Sequence, residues 1–294
     1  MQTFPLGSFA VSRVGFGAMQ LPGPGVFGPP RDREQALSVL RRAVELGVNH
    51  IDTAQFYGPA VANELIRAAL HPYPSGLALV SKVGARRDEQ GQWLPAQEPD
   101  DLRRGIEENL QTLDTDRLAA VNLRVHDGDG DGIGVPTAVD RELFERQLAA
   151  MIAARDEGLI DGIGLSNVSA EHLRIALGHT EIACVQNAYN LVDRSATPVL
   201  ELCVAHGIAF VPFFPLGSAF DPNSPVLGND TVRQAAADLG HTPAQIVLAW
   251  TLSVAPNVLL IPGTSSPAHL EENLAVADIS LPDDIKTRLD ELGG

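Results

Sequence analysis

The chain has 294 residues, of which 45% are apolar, and carries a formal net charge of −16. That charge argues against a nucleic-acid partner, because a phosphate backbone needs a basic surface; it leaves room for a small anionic cofactor in a locally positive pocket. No apolar run approaches the roughly 20 residues of a membrane span. Cys184 and Cys203 are the only cysteines, so there is no disulfide framework.

Strand-like and helix-like patterns alternate along the chain. "SRVGFGAMQ" is the first strand candidate, and "REQALSVLRRAVELG" follows as a helix with Leu37, Leu40 and Val44 at helical spacing and Gly47 as its stop. The strand "NHIDTA" precedes the helix "ANELIRAALH", and "LALVSKVG" precedes "DDLRRGIEENLQTL". "RLAAVNLRV" precedes "RELFERQLAAMIAARDEG", "IDGIGLSN" precedes "AEHLRIAL", and "IACVQNAY" precedes "ATPVLELCVAHG". "IAFVPFFPL" precedes two helices, "DTVRQAAADLG" and "TPAQIVLAWTLSV". "VLLIPGT" and "PAHLEENLAV" form the last pair, and "PDDIKTRLDELG" closes the chain.

Eight strands, each followed by helix, predict a parallel sheet closed into a (β/α)8 TIM barrel with additional helices, one domain over 1–294. The rival is a doubly wound open sheet. It wants a glycine fingerprint that opens a helix, and "GFGAMQLPG" does not supply one. The N-terminus lacks a basic region followed by an apolar stretch, so a cytoplasmic protein is expected.

One stretch reads two ways. In "AVNLRVHDGDGDGIG", Asp127, Asp129, Asp131 and Gly132 fit the opening of an EF-hand calcium loop. The twelfth position, which needs a bidentate Glu, is Ala138, and no helix pattern precedes Asp127. The stretch reads instead as a strand that delivers Arg124 and His126 to a barrel mouth, followed by an acidic loop.

The active site of such a barrel sits at the C-terminal ends of its strands. Those ends carry Asp52 with Tyr57 a short turn later, then Lys82, Arg124 and His126, Ser166 and Asn167, Gln186, Phe213 and Thr264. Three of them fit one mechanism. A Tyr hydroxyl has a pKa of about 10. A neighbouring Lys ammonium lowers it, and an Asp holds the Lys. The result is a general acid able to protonate a carbonyl oxygen.

These residues resemble the aldo-keto reductase family along nearly the whole chain. "GFGAMQL", "HIDTAQFYG", "VSKVG", "GIGLSN", "VQNAYNL", "PFFPLGS" and "IPGTSSPAHLEEN" match the family's segments in order. The resemblance implies an NAD(P)H-dependent reductase of a small aldehyde or ketone, a monomer or small homo-oligomer, with Asp52, Tyr57 and Lys82 catalytic. It also implies a cofactor site. Gly17, Ala18 and Met19 lie at the first strand's end. Ser166, Asn167 and Gln186 match the positions that hold the carboxamide, and Phe213 the ring that stacks on nicotinamide. Leu216 and Ser218 match the pyrophosphate loop, and Thr264, Ser265, His269, Glu272 and Asn273 the adenosine end.

Two departures stand out. Many members have a Lys and an Arg beside the 2′-phosphate of NADPH where this chain has Gly263 and His269. NADPH is therefore expected with reduced preference, and NADH as the alternative. Many members also end strand four with a His that binds the substrate carbonyl. An ungapped count puts Arg124 there, with His126 about 7 Å further along at roughly 3.3 Å per residue. This departure resembles a bacterial subgroup that includes pyridoxal reductases. Two other functions are carried. One is a metal-dependent barrel hydrolase using His50 and Asp52; the other is a regulatory barrel that binds cofactor without turnover. Substrate choice is expected to rest on the loops at 22–30, 86–98 and 127–137, with Met19, Phe56 and Trp93 as candidates for an apolar wall.

Overall fold

The computed structural model describes residues 2–126, 135, 138–217 and 225–293. An antiparallel hairpin opens the chain, β1 (Thr3–Leu6) with β2 (Phe9–Ser12), turning at Gly7 with φ +58°. The alternation expected from the sequence follows: β3 (Phe16–Gly17), α1 (Arg33–Glu45), β4 (His50–Asp52), α2 (Val61–Leu70) and β5 (Ala78–Val83). A second hairpin then interrupts it, β6 (Ala85–Arg87) with β7 (Trp93–Pro95). After it come α3 (Pro99–Leu113), β8 (Leu118–Arg124), α4 (Arg141–Asp156), β9 (Ile160–Ser166), α5 (Ala170–Leu177), β10 (Cys184–Gln186), α6 (Thr197–His206) and β11 (Ala209–Phe210). The chain ends with α7 (Pro225–Gly228), α8 (Asp230–Leu239), α9 (Pro243–Ser253), α10 (Pro267–Ala275) and α11 (Asp283–Asp290).

Among the described residues, the main sheet has seven parallel strands in the order β11-β10-β9-β8-β5-β4-β3. Its eighth place is taken by single bridges. Val258 pairs with Phe210 at one edge, and Leu260 with Val14 at the other. The backbone bonds Leu259 N to Phe210 O (2.9 Å) and Gly15 N to Leu260 O (2.8 Å) join the two edges. The fold is therefore a barrel, with the last strand reduced to bridges. Both hairpins went unread in the sequence; the second occupies much of what was expected to be a loop at 86–98.

Two apolar clusters of the described residues hold it together. One lies between the sheet and the helices and includes Ile51, Val83, Val121, Leu123 and Leu165. The other fills the barrel and includes Val80, Ala120, Cys184, Ala209 and Leu259, with Leu6 and Val11 of the first hairpin as its floor. Alternate residues of each strand go to each cluster, as the pleat requires. Inside, bulk is matched by absence of bulk. A Cβ on Gly15 would lie 2.2 Å from the His50 ring, and one on Gly164 2.2 Å from Asn122 Oδ1. Helix ends follow local chemistry: Asp32 caps α1 by accepting from Gln35 N at 2.9 Å, and Gly47 turns the chain after it with φ +91°. Among the described residues, no helix is long and apolar enough to cross a membrane. Asp127, Asp129, Asp131 and Gly132 lie outside the described residues.

Candidate active site

β4 and β5 pair in register from His50–Ala78 to Asp52–Val80. Asp52 is the last residue of its strand and points inward, and Lys82 lies beyond the shared ladder on β5. Lys82 Nζ donates to Asp52 Oδ1 and, at 2.9 Å, to the Thr53 carbonyl. Its ammonium lies 4.9 Å from the centroid of the Tyr57 ring. Gln186, the last residue of β10, donates from across the barrel to Asp52 Oδ2 at 2.6 Å. Asp52, Tyr57, Lys82 and Gln186 are all at most 6% exposed.

Burial pulls Lys82 down, but Asp52 and Tyr57 more than offset it and leave its pKa above the ordinary value. For Tyr57, burial raises the pKa; Lys82 and Arg124 act downward and Asp52 upward, and the net is a raised value. The sequence argument anticipated a lowered Tyr57 pKa. The Lys82 effect has the anticipated sign, but taking a phenolate out of water outweighs it. Tyr57 is thus held as a proton carrier at neutral pH.

β8 pairs with β9 in unbroken register from Leu118–Ile160 to Arg124–Ser166. No bulge shifts the strand, so Asn122 and Arg124 share the inward face. Arg124 donates to Ser166 Oγ at 3.2 Å, and its guanidinium lies 5.5 Å from the Phe213 ring centroid. Through charge it acts on Tyr57. His126 lies half-buried, two residues past the end of the strand.

The other expected positions divide in two. Ser166 and Asn167 are fully buried. Asn167 takes a left-handed φ of +60°, with its side chain donating to Val125 O at 3.1 Å. Phe213 bridges to Ala188, and Leu216 is half-buried nearby; Ser218 lies outside the described residues. Gly17 meets the eighth-strand segment closely: a Cβ there would lie 2.4 Å from Ile261 O. Ala18 and Met19 begin the short 3₁₀ turn that follows. At the far end, Thr264 is buried and its hydroxyl accepts from Ser266 N at 3.0 Å. Ser265 and His269 are exposed, and Glu272 and Asn273 are half-buried on α10. A cavity of about 420 Å³ opens between the β3–α1 loop and Ser265, with Met19, Gln20, Arg31 and Gln35 in its lining.

The residues present fit a nicotinamide cofactor. Gln186 Oε1 is buried without a hydrogen-bond partner among the described residues, an acceptor suited to an amide N–H. Ser166 lies level with it on the adjoining strand, and Phe213 offers an aromatic face. A metal-hydrolase site finds less support. Asp52 is already engaged by Lys82 and Gln186, and among the described residues no three of His, Cys, Asp and Glu gather into a ligand set.

The mouth also has an aromatic wall. Phe56 makes edge contacts at 5.4 Å with both Tyr57 and Trp93. The Arg87 guanidinium covers Trp93 at 4.1 Å and Phe27 at 5.3 Å. It donates to the carbonyls of Gly25, Val26 and Gly91, tying the second hairpin to the β3–α1 loop. The sequence reading missed Arg87 and Phe27. Arg87 stands six residues from Trp93 in sequence, and only the hairpin register brings them together.

The aldo/keto reductase family model matches residues 13–293. Pyridoxine 4-dehydrogenase of Escherichia coli (strain K12) is 49% identical over 288 residues, covering 98% of this chain and 97% of that protein. A thermostable aldo-keto reductase solved with the inhibitor epalrestat superposes with a TM-score of 0.80 at 30% identity, covering 100% of both chains. An aldo/keto reductase from Klebsiella pneumoniae, solved with NADP and acetate, gives a TM-score of 0.78 at 27% identity over 99% of this chain and 95% of that one.

Proposed function

The chain belongs to the aldo/keto reductase family, and from that premise we propose that it reduces an aldehyde to an alcohol with Tyr57 as the proton donor and NADPH as the preferred cofactor. When bound, the reduced nicotinamide supplies the hydride that the carbonyl carbon takes up. Tyr57 gives its hydroxyl proton to the carbonyl oxygen, and Lys82 stabilises the phenolate that remains. Asp52 and the Thr53 carbonyl hold the Lys82 ammonium in place. Gln186, Ser166 and Asn167 would hold the carboxamide, and Phe213 would offer its face to the ring. Arg124 donates to the carbonyl oxygen from β8, the strand beside that of Lys82, as a fixed charge and a planar fork.

The observation that carries this reading is the buried Asp52–Lys82–Tyr57 cluster where the strands end, with Lys82 bonded to Asp52 and its ammonium 4.9 Å from the Tyr57 ring centroid. The substrate class follows from the relative named pyridoxine 4-dehydrogenase and from the aromatic wall of Phe27, Phe56 and Trp93. A flat heteroaromatic aldehyde suits that wall, and pyridoxal is the first compound to try. The test is oxidation of NADPH by the purified chain against a carbonyl panel containing pyridoxal, aliphatic aldehydes and ketones. Turnover of pyridoxal above the aliphatic compounds is expected. Turnover of none of the panel, with NADPH still bound, would favour the regulatory barrel instead.

A further inference from the structure

Behind the barrel wall, between β4, β5, α2 and α3, lies a buried polar network. Asn109 on α3 is its centre. It is fully buried, on the same helix face as Leu102, Ile106 and Leu113. A polar group left unpaired there would cost about 1–3 kcal/mol, yet both ends of this amide are bonded. Oδ1 accepts from Ser81 Oγ at 2.5 Å and from Asn63 Nδ2 at 2.9 Å. Nδ2 donates to Gln55 Oε1 at 3.0 Å and to the Gly105 carbonyl at 2.8 Å. Asn63 in turn accepts from Thr53 Oγ1 at 2.7 Å and donates to Thr112 Oγ1 at 2.9 Å.

The partners explain the placement. Ser81 adjoins Lys82, Gln55 lies in the turn that carries Tyr57, and Thr53 supplies the carbonyl that takes the Lys82 ammonium. The β4–β5 ladder stops at Asp52–Val80, short of both Lys82 and Tyr57. Past that point the Lys82 strand and the Tyr57 turn are joined by side chains. Lys82 does so from inside the barrel and Asn109 from outside it.

We propose that Asn109 is a positioning residue for the reaction, fixing the distance between Lys82 and Tyr57 by locking their two segments together from behind the barrel wall. This rests on the reading of Tyr57 as proton donor. The charged groups that face Tyr57 are Lys82 from β5, Asp52 from β4 and Arg124 from β8. The network of Asn, Ser, Thr and Gln adds no charge. A change in Tyr57 ionisation on altering Asn109 therefore reports geometry. Loosening the pair weakens the downward pull of Lys82, so Tyr57 ionises at higher pH.

The test uses the full chain with saturating NADPH and an aldehyde that it reduces. Asn109→Leu keeps the side-chain bulk and removes every bond. We expect kcat to fall about tenfold, a mild case of the 10²-fold that a misplacement of about 1 Å can cost. The alkaline limb of kcat moves to higher pH, while KM and the NADPH dissociation constant stay unchanged. Thr112→Val removes the outer acceptor of Asn63 and the hydroxyl's bonds to the carbonyls of its own helix, but none of the bonds of the Asn109 side chain; it lowers the melting temperature and leaves kcat and the limb alone. If Asn109→Leu does not fold, Ser81→Ala deletes one Asn109 bond and shifts the limb in the same direction by less. A wild-type kcat and limb in whichever of the two folds overturns the proposal. Tyr57→Phe is run in parallel: wild-type turnover in that variant overturns the reading of the site itself, whereas loss there with an unaltered Asn109→Leu overturns the positioning role alone.

Discussion

The Asp52–Lys82–Tyr57 corner and the segment 263–273 would grip opposite ends of one cofactor, yet they are built differently. At the first, the three side chains are 3–6% exposed, and Asp52 is bonded to strands on both sides of the barrel. At the second, Ser265 and His269 are exposed, and the nearest firm tie is Gln35 Nε2 to the Ser265 carbonyl at 2.6 Å. Charges act strongly where water is excluded and weakly where it is not. On the proposed reading, the chemistry is set in a dry corner and cofactor choice in a wet one. Substitutions in the corner should have large, salt-insensitive effects, and those in the segment small, salt-sensitive ones.

The sharpest break is Tyr57→Phe. It keeps the ring packed against Phe56 and removes the proton. Carbonyl reduction is expected to fall by roughly 10²–10⁴-fold, with NADPH binding retained by fluorescence titration. Because the Tyr57 pKa is raised, the wild-type alkaline limb should lie above about 10. A limb near neutrality would show that another group donates the proton.

The order of strands and helices was legible because a parallel sheet buries both faces of its strands and writes them as apolar runs. The strand ends were legible because alternation fixes which side chains face inward; Asn122 and Arg124 fell on the inner face as counted. Three things were not. The hairpins β1–β2 and β6–β7 have strands of three or four residues, too short for a periodic signal. Asn109 sat on an apolar helical stripe, the one cue to its role, but its partners are far off in sequence. The sign for Tyr57 depended on the depth of burial, which no local pattern reports.

The corner's dryness predicts a second effect, on stability. His50 lies one pleat below Asp52 and is 1% exposed. Burial lowers its pKa from 6.5 to about 4, against opposing effects of Asp52 and the Ser12 backbone. The unfolded chain therefore binds a proton there that the folded chain refuses. Stability is complete above about 6.5 and declines as pH falls toward 4, by up to about 3 kcal/mol. His50→Gln should flatten that decline in denaturant titrations between those two pH values. An unchanged slope would mean that His50 is not the group responsible.

Arg124 tests whether strand register decides function at the corner's open side. Arg124→Ala should cost kcat/KM about 10- to 10²-fold, the worth of a charge-assisted hydrogen bond at roughly 1.5–3 kcal/mol. Arg124→Lys keeps the charge but loses the fork that reaches Ser166, and should recover only part. His126→Ala should stay near wild type. The reverse pattern would give the carbonyl to His126 and require that the strand rearrange when substrate binds.

The smallest effect belongs to the wet end, and its sign is the informative part. Gly263 and His269 stand where the family resemblance leads one to expect cations. What remains is a set of weaker donors: the hydroxyls of Thr264 and Ser265, the imidazole of His269, and the N-terminus of α10, capped by Ser266. Arg31 stands at the cavity that Ser265 shares. A 2′-phosphate placed there meets partial charges and one exposed guanidinium, so NADPH should bind more tightly than NADH by a modest factor. His269→Arg restores a full charge at an exposed site. An exposed ion pair is worth at most about 1 kcal/mol, so the preference should rise by about fivefold and shrink again in high salt. Dissociation constants for both cofactors, at low and high ionic strength, measure this directly. If NADH binds more tightly to the wild type, the preference is reversed. If His269→Arg changes NADPH affinity 10²-fold without salt dependence, this end is dry when occupied, and the contrast with the Lys82 corner disappears.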